Sequence, residues 1–240
     1  MKILNCPTSQ GSFGANKGCE KAPSLICPEA EIINLPQDNI EETNKILENS
    51  DGDFFIGGDH SITYPLFKSF ARKHKNPCLV IFDAHADCSD DFMPPTHEDF
   101  NKVLINQGIL KPENLFLIGL RKIYDHEREF LNERGIKYIE MNKIGTVQEL
   151  LKRVKEFAKE KELYLSIDID VLDKEFAPGT GYVEESKGMS LDYLIEVLNE
   201  IKVLMKKGDL VEINPDKDVD GKTVNSAERI LSALRHPQTF

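Results

Sequence analysis

The sequence lacks the features that membrane and nucleic-acid-binding proteins need. No stretch approaches the ~20 apolar residues that cross a bilayer, and the start, Met-Lys-Ile-Leu-Asn, turns polar without the apolar core of a signal peptide. Basic residues are outnumbered, with 30 Lys and Arg against 41 Asp and Glu and a net charge of −11. No basic stripe is present to neutralise phosphates. We therefore expect a soluble, cytoplasmic protein that binds neither a membrane nor nucleic acid.

Cysteine is also sparse, and its spacing excludes a further class. The chain has five cysteines, an odd number without the paired spacing of a metal site. A framework of structural disulfides is therefore not expected. There is no internal repeat, linker or low-complexity run. At 240 residues the chain is long enough for one large α/β domain or two small ones.

Strand and helix patterns alternate along nearly the whole chain. Apolar runs predict eight strands, near 2–5, 31–35, 53–57, 78–83, 115–119, 137–140, 163–168 and 209–213. Helical spacing predicts helices over 40–49, 62–74, 98–107, 125–134, 146–161, 190–205 and 223–235, whereas 6–24 read as an irregular loop. Alternation with continuous apolar strands indicates a three-layer α/β/α fold, an eight-stranded, mostly parallel sheet between helices.

Potential metal ligands follow the apolar run Leu79-Val80-Ile81-Phe82. Asp83, His85 and Asp87 occupy alternate positions, so they share one side if the extended backbone continues past Phe82. Such crowded carboxylates oppose each other's ionisation, and a divalent cation relieves the repulsion. We interpret this stretch as half of a metal site.

Two other strand ends carry ligands of the same kind. Asp168 and Asp170 follow the apolar run at 163–167, and His60 follows Gly57-Gly58-Asp59. In parallel sheets, ligands bind outside the carboxyl ends of the strands, where these groups would meet. The six ligands suffice for two ions if some carboxylates bridge. Asp59 is expected to support His60 rather than to bind metal.

These clusters carry a resemblance to a known family. The segments Gly57-Gly58-Asp59-His60-Ser61, Asp83-Ala84-His85-Ala86-Asp87 and Ser166-Ile167-Asp168-Ile169-Asp170 resemble, in order and rough spacing, the signatures of the ureohydrolases. That family includes arginases, agmatinases and formiminoglutamases. Further matches are Ala177-Pro178-Gly179-Thr180-Gly181 and Val211-Glu212-Ile213-Asn214-Pro215. The resemblance runs from the first strand to the last helix.

The resemblance implies a single arginase-like domain over 1–240 and two manganese ions per chain. One ion would be held by His60, Asp83, Asp87 and Asp168, and the other by Asp83, His85, Asp168 and Asp170. Asp83 and Asp168 would then bridge. Carboxylate and imidazole ligands suit manganese, although nickel, cobalt and zinc also accept them. Family members are homo-oligomers, and a trimer or hexamer is the corresponding expectation.

The resemblance also implies hydrolysis of a guanidino C–N bond with release of urea. Glu212 matches the residue that pairs with the guanidinium, and Asp170 is placed to assist proton transfer. His97 is the candidate proton shuttle. A simple histidine at a helix start is the alternative, because Glu98 replaces the glycine that often follows the shuttle. The other histidines fall in polar, helical surroundings and are expected to face solvent: His74, His126 and His236.

The substrate is predicted from the side chains that would contact the end of the molecule away from the guanidinium. In Cys88-Ser89-Asp90-Asp91, two carboxylates stand where arginases present neutral groups to the arginine carboxylate. Asp90 or Asp91 would repel that group and receive the distal ammonium of agmatine. The prediction is agmatine, cleaved to putrescine. Arginine stays the alternative, because 18–23 look more like an arginase segment. A non-catalytic metal-binding protein and a deacetylase-like or phosphoesterase enzyme are further alternatives.

Overall fold

Eight strands and eight α-helices make up the computed structural model, which describes residues 1–184 and 186–235. The strands are β1 Ile3–Cys6, β2 Glu31–Ile32, β3 Phe54–Gly57, β4 Pro77–Phe82, β5 Leu115–Leu120, β6 Lys137–Glu140, β7 Glu162–Asp168 and β8 Met205–Val211. The helices are α1 Ala22–Ile26, α2 Ile40–Glu48, α3 Thr63–Lys73, α4 Phe100–Asn106, α5 Asp125–Glu133, α6 Val147–Phe157, α7 Leu191–Ile201 and α8 Lys222–Arg235. His236 lies outside the described residues.

All strand pairs in the sheet are parallel, and the order is β2-β1-β3-β8-β7-β4-β5-β6. Alternate residues of β4 belong to two different hydrophobic cores, one on each face of the sheet. Val80 and Phe82 pack with the apolar residues of α1, α6, α7 and α8, whereas Leu79 and Ile81 pack with those of α2, α3, α4 and α5. Helices therefore cover both faces of the sheet. The predicted three-layer, eight-stranded architecture is confirmed.

Most predicted boundaries lie within a few residues of the observed ones, and the exceptions have local causes. Residues 158–161 do not continue α6, because Glu160 has φ +60°, which a right-handed helix does not allow. Strand β8 begins at Met205 rather than near 209. Its buried Lys207 is polar by sequence, but its ammonium lies 4.8 Å from the centre of the Phe55 ring. The expected loop over 6–24 is wrong at its end, where Pro23 lies in the first turn of α1.

Side-chain caps begin two of the predicted helices. The Thr146 hydroxyl accepts a hydrogen bond from the Glu149 amide, and the Glu149 carboxylate accepts one from the Thr146 amide. This capping box, expected from the spacing of the two residues, satisfies backbone donors that a helix start leaves free. Ser190 caps α7 by accepting from the Tyr193 amide.

The strand order determines where chemistry is placed. Strands β3, β8, β7 and β4 are neighbours, and in register Phe82 pairs with Ile167 while Asp168 pairs with Val211. The carboxyl ends of these four strands therefore lie side by side. All five cysteines are buried as free thiols. Among the described residues, no helix is both long and apolar enough to cross a membrane.

Candidate metal centre

One group of ligands surrounds the imidazole of His60. The ring nitrogen Nδ1 lies 3.2 Å from Asp83 Oδ2, 3.1 Å from Asp87 Oδ2 and 3.2 Å from Asp168 Oδ2. All four side chains are buried. His60 lies in the turn after β3, Asp83 and Asp87 in the loop after β4, and Asp168 at the end of β7. This is the set of four residues that the resemblance implies for one ion.

A second group shares Asp83 with the first. His85 Nδ1 lies 2.9 Å from Asp170 Oδ2 and 3.7 Å from Asp83 Oδ1. The two carboxylate oxygens of Asp83 therefore face different groups. Asp168 contacts the backbone of this second group, because its Oδ1 accepts a hydrogen bond of 2.8 Å from the Asp170 amide. Its role as a bridge between two ions stays a prediction.

The residues present fit a bound cation. Within the described part of the chain, His60 Nδ1 and Asp83 Oδ2 are buried without a hydrogen-bond partner, which proteins rarely leave uncompensated. Burial raises the pKa of Asp83 to about 8, and the charges of Asp87 and Asp170 act in the same direction. A divalent ion would relieve this repulsion and satisfy both atoms. The oxygen and imidazole donors are those that manganese and similar ions accept.

The loop after β4 does not continue the strand. Strand β4 ends at Phe82, the Asp83 carboxylate accepts a 2.6 Å hydrogen bond from the His85 amide, and Asp87 has φ +49°. The condition for the expected alternation of Asp83, His85 and Asp87, an extended backbone past Phe82, is therefore not met. A turn directs Asp87 to the first ligand group and His85 to the second, because its backbone leaves the extended region.

A buried network holds the far side of the His60 ring. His60 Nε2 lies 2.9 Å from the Ser166 hydroxyl, which donates a 2.5 Å hydrogen bond to Asp209. Asp209 also accepts from Tyr164, at 2.6 Å, and from Thr63, at 2.9 Å. All these side chains are buried. The network fixes the orientation of the ring and favours Nδ1 as the ligand atom.

The predicted supporter of His60, Asp59, has a different role. Its carboxylate accepts hydrogen bonds from the amides of Ser61, at 2.9 Å, and Gly11, at 2.9 Å, and no contact with the His60 ring is seen in the described structure. Asp59 thus shapes the turn that carries His60. The preceding Gly58 is required there, because a Cβ atom would lie 1.9 Å from the Thr8 carbonyl oxygen.

The second ligand group has its own supports. His85 Nε2 lies 3.2 Å from the Glu184 carboxylate. The Arg121 guanidinium donates to the backbone carbonyls of Asp170 and, at 3.3 Å, of Leu172. Burial acts to raise the pKa of Asp170, but the charge and hydrogen bond of His85 lower it to about 2. Asp170 is therefore a carboxylate across the physiological pH range.

Glu212 and His97 form a buried pair beside the ligands. His97 Nδ1 lies 3.0 Å from Glu212 Oε1, which also accepts a 2.6 Å hydrogen bond from the His60 amide. The other carboxylate oxygen accepts a 2.5 Å hydrogen bond from Asn16. Glu212 has φ +67° at the end of β8, so the chain bends sharply where the carboxylate enters the site. Asn16, from the first loop, has no sequence signal that predicts this contact.

The pair is charged. Burial acts to lower the pKa of His97, but Glu212 raises it to about 9. Burial acts to raise the pKa of Glu212, but His97 lowers it. His97 precedes α4 by three residues and is buried against Glu212, so the alternative of a helix-start histidine does not describe its contacts.

One cavity joins the ligands to Glu212 and opens to solvent. Its lining includes His60, His85, Asp87, Asp168, Asp170, His97 and Glu212, together with Ser89, Glu98, Lys122, Tyr124, Glu127 and Tyr182. Asp90 and Asp91 do not line this cavity. Both are exposed, and Asp91 accepts a 3.0 Å hydrogen bond from Asn106 on α4. The structure therefore does not bring these two residues into the cavity with the ligands, where their predicted substrate-binding role would place them.

The solvent-facing prediction for the outlying histidines is only partly right. His126 is exposed, and its Nε2 lies 3.1 Å from the Ser89 hydroxyl. His74 is half-buried, with its ring stacked 3.9 Å from the centre of the Phe70 ring.

An all-parallel α/β sheet thus gathers carboxylates and imidazoles at its carboxyl edge, an arrangement that could hold metal ions. Comparison with known proteins identifies the family. A model of the arginase family matches residues 25–235. The agmatinase of Bacillus subtilis (strain 168) is 30% identical over 201 residues, which cover 82% of this chain and 68% of that protein. The arginase of Staphylococcus aureus (strain COL) is 30% identical over 225 residues, which cover 85% and 74%.

The fold agrees with this family. The crystal structure of arginase from Bacillus subtilis superposes with a TM-score of 0.85 at 22% identity, and the match covers 99% of both chains. The chain belongs to the arginase family, the ureohydrolases. The family predicted from the three ligand segments is thereby confirmed.

Proposed function

We propose that the chain hydrolyses a guanidino C–N bond and releases urea, with two manganese ions as cofactors. The observation that most supports this proposal is the position of Asp83. Its Oδ2 faces His60 Nδ1 at 3.2 Å and its Oδ1 faces His85 Nδ1 at 3.7 Å, so one carboxylate lies between two ligand groups. When bound, two such ions make water a nucleophile near neutral pH and stabilise developing negative charge.

Glu212 is the residue that we assign to the guanidinium. It is buried, its pKa is lowered, and it lines the cavity together with the ligands. A carboxylate and a guanidinium form a charge-assisted pair, and Oε2 of Glu212 retains an acceptor site beside its bond from Asn16. The hydrogen bonds from Asn16 and from the His60 amide hold the carboxylate in place. Glu212 would thus fix the reacting carbon relative to the metal ligands, which is a large part of catalysis for a poor electrophile.

His97 is the residue that we assign to the leaving amine. Its pKa is raised to about 9, so its imidazole carries a proton at neutral pH, and it lines the cavity beside Glu212. As the C–N bond breaks, the amine nitrogen takes a proton, and His97 can supply it. Asp170, anionic at neutral pH, would accept a hydrogen bond from the attacked carbon's substituents and assist the first proton transfer.

Agmatine, cleaved to putrescine, is the substrate that we propose. The support comes from the cavity wall beyond the ligands, which carries the carboxylates of Glu98 and Glu127. These carboxylates can attract the distal ammonium of agmatine, the role that was predicted from the sequence for Asp90 and Asp91. The relatives of this chain include an agmatinase.

Arginine is the second candidate. Lys122 lines the same wall and offers an ammonium to a carboxylate, and the relatives also include an arginase. A non-catalytic protein on the same scaffold is less well supported, because all six ligands and Glu212 are present and gathered. A cytoplasmic location remains a proposal that rests on the sequence pattern, and assembly into trimers or hexamers remains one that rests on family resemblance.

The test is urea release from a panel of guanidino compounds by manganese-loaded protein. We expect agmatine to give a higher kcat/KM than arginine and guanidinobutyrate. Arginine as the best substrate would contradict the choice of agmatine. Tight metal binding without urea would favour the non-catalytic alternative, and release of acetate or phosphate from matching esters or amides would favour another hydrolase. Asp90→Asn and Asp91→Asn should leave agmatine turnover unchanged, because both side chains lie outside the cavity.

A further inference from the structure

We propose that Glu98 and Tyr182 form the specificity wall of the cavity, which selects an unbranched guanidino compound whose far end is a cationic amine. Tyr182 covers the alkyl chain and Glu98 receives the amine. The inference rests on the proposed function, because it concerns the far end of the molecule that reacts at Glu212. It assigns specificity to two residues that the sequence patterns did not single out as substrate-binding.

Tyr182 lies across the reacting part of the cavity. Its ring centre is 6.1 Å from that of His97, with an angle of 22° between the planes, and 6.1 Å from that of His85, with an angle of 69°. The ring thus lies beside both the Glu212 pair and the second ligand group. Tyr182 is 41% exposed, so its other side forms the mouth. A hydrogen bond of 2.8 Å from the Thr180 hydroxyl to the Tyr182 carbonyl holds the segment.

Glu98 lines the same cavity as this ring. Its backbone is anchored at two points: its amide donates a 3.2 Å hydrogen bond to the Thr96 hydroxyl, and its carbonyl accepts a 3.0 Å hydrogen bond from the Ser89 amide. The second bond ties Glu98 to the loop that carries Asp87. The distance between the acidic wall and the ligands is therefore set by backbone contacts.

The other charged groups of the wall have different partners. Both oxygens of Glu127 accept backbone hydrogen bonds, from Cys88 at 3.1 Å and from Tyr124 at 3.0 Å. The Lys122 ammonium lies 3.9 Å from the Glu184 carboxylate and 5.1 Å from the centre of the Tyr124 ring. Glu98 is exposed, and an ionised carboxylate offers acceptor sites on both of its oxygens. It is therefore the wall carboxylate best placed to receive a cation from solvent.

This arrangement discriminates by shape and by charge. An aromatic face packs well against a straight alkyl chain and attracts a cation near it. A substituent beside the far amine would meet the Tyr182 ring. A carboxylate there would also bring negative charge towards Glu98, and like charges at close range oppose binding. The wall therefore favours a guanidino-amine over an α-amino acid with the same chain.

The test compares two substrates that differ only at the far end, agmatine and butylguanidine, the second of which lacks the ammonium. In Glu98→Gln we expect kcat/KM for agmatine to fall about tenfold, mainly through KM, while butylguanidine changes less than about twofold. Tyr182→Phe keeps both the ring and the Glu98 carboxylate, so kcat/KM for agmatine should fall less than in Glu98→Gln. Glu129→Gln removes the same charge from an exposed position on α5 and should change neither.

Equal losses for both substrates in Glu98→Gln, or no loss for agmatine, would overturn the proposal. If the wild-type protein released urea from neither compound, the proposed function would fail. The role of Glu98 would then be tested by the binding of a diamine. Calorimetry with 1,4-diaminobutane on manganese-loaded protein should show a Kd about tenfold higher in Glu98→Gln than in wild type. An unchanged Kd, or no binding to wild type, would contradict the assignment of Glu98.

Discussion

The Nε2 atom of His60 lies 2.9 Å from the hydroxyl of Ser166, at the inner end of a chain of buried hydrogen bonds that leads to Asp209. The opposite nitrogen of the same ring faces Asp83, Asp87 and Asp168. A partner on one imidazole nitrogen determines which nitrogen is left to bind metal, and it orients the ring. Ser166 therefore acts on the metal site without being a ligand.

Replacing Ser166 with Ala should weaken metal binding. The His60 ring would lose its partner, and loss of such a supporting contact costs roughly 10- to 100-fold in metal affinity. Titration of metal-free protein with Mn²⁺ in a calorimeter measures this. The control is Ser69→Ala, which removes a buried hydroxyl from α3 and should leave the affinity unchanged. Equal affinities for Ser166→Ala and wild type would show that the network does not support the ligand.

The two ligand groups should lose metal together when their shared residue is removed. Asp83→Ala takes away the carboxylate that faces both His60 and His85, so both ions should be lost. His60→Ala removes a ligand of one group and should weaken mainly one ion. Elemental analysis after dialysis measures the ions per chain. Asp192→Ala, at an exposed residue paired with Arg229, is the control. One tightly held ion in Asp83→Ala would refute the shared position.

Replacing His97 should reduce turnover while the metal content stays unchanged. His97 contacts Glu212 and is not one of the six ligands, and removal of a general acid lowers kcat by roughly 10²- to 10⁴-fold. His97→Asn, assayed for urea release and analysed for metal, separates the two effects. The matched control is His74→Asn, which changes a histidine at the C-terminal end of α3 that does not line the cavity. Unchanged turnover in His97→Asn would remove His97 from the mechanism.

The same pair makes the stability of the metal-free protein depend on pH. The folded pKa of His97, about 9, lies above the unfolded value of about 6.5, so its contribution is complete below about pH 6.5 and is lost as pH rises through 9. Urea unfolding of wild type and His97→Gln should therefore differ more at pH 6.5 than at pH 10, by on the order of 1–3 kcal/mol. A difference that stays constant over this range would show that the pair is not charged in the folded state.

The sequence predicts the sheet and the ligands for the same physical reason. In a parallel α/β fold the strands are continuous apolar runs, and whatever polar residue follows each run lies at one edge of the sheet. His60, Asp83 and Asp168 each follow such a run directly or within a short turn. Their meeting was therefore predictable without knowledge of strand order.

The direction of a loop side chain cannot be predicted from an apolar run in the same manner. Asp90 and Ser89 are neighbours in sequence, yet only Ser89 lines the cavity. Contacts between distant loops, such as that of Asn16 with Glu212, depend on how the loops pack and carry no local pattern. Ser166 and Asp209 did have a signal, because polar residues in otherwise apolar strands require buried partners.

The central claim is that two ions held around Asp83 are needed to release urea from a guanidino compound. Metal-free protein titrated with Mn²⁺, with bound metal and urea release from agmatine measured at each step, tests it most directly. We expect urea release to rise mainly as the second ion binds and to level off at two ions per chain. Full activity with one ion per chain, or no urea at two ions from agmatine, arginine or guanidinobutyrate, would contradict the account.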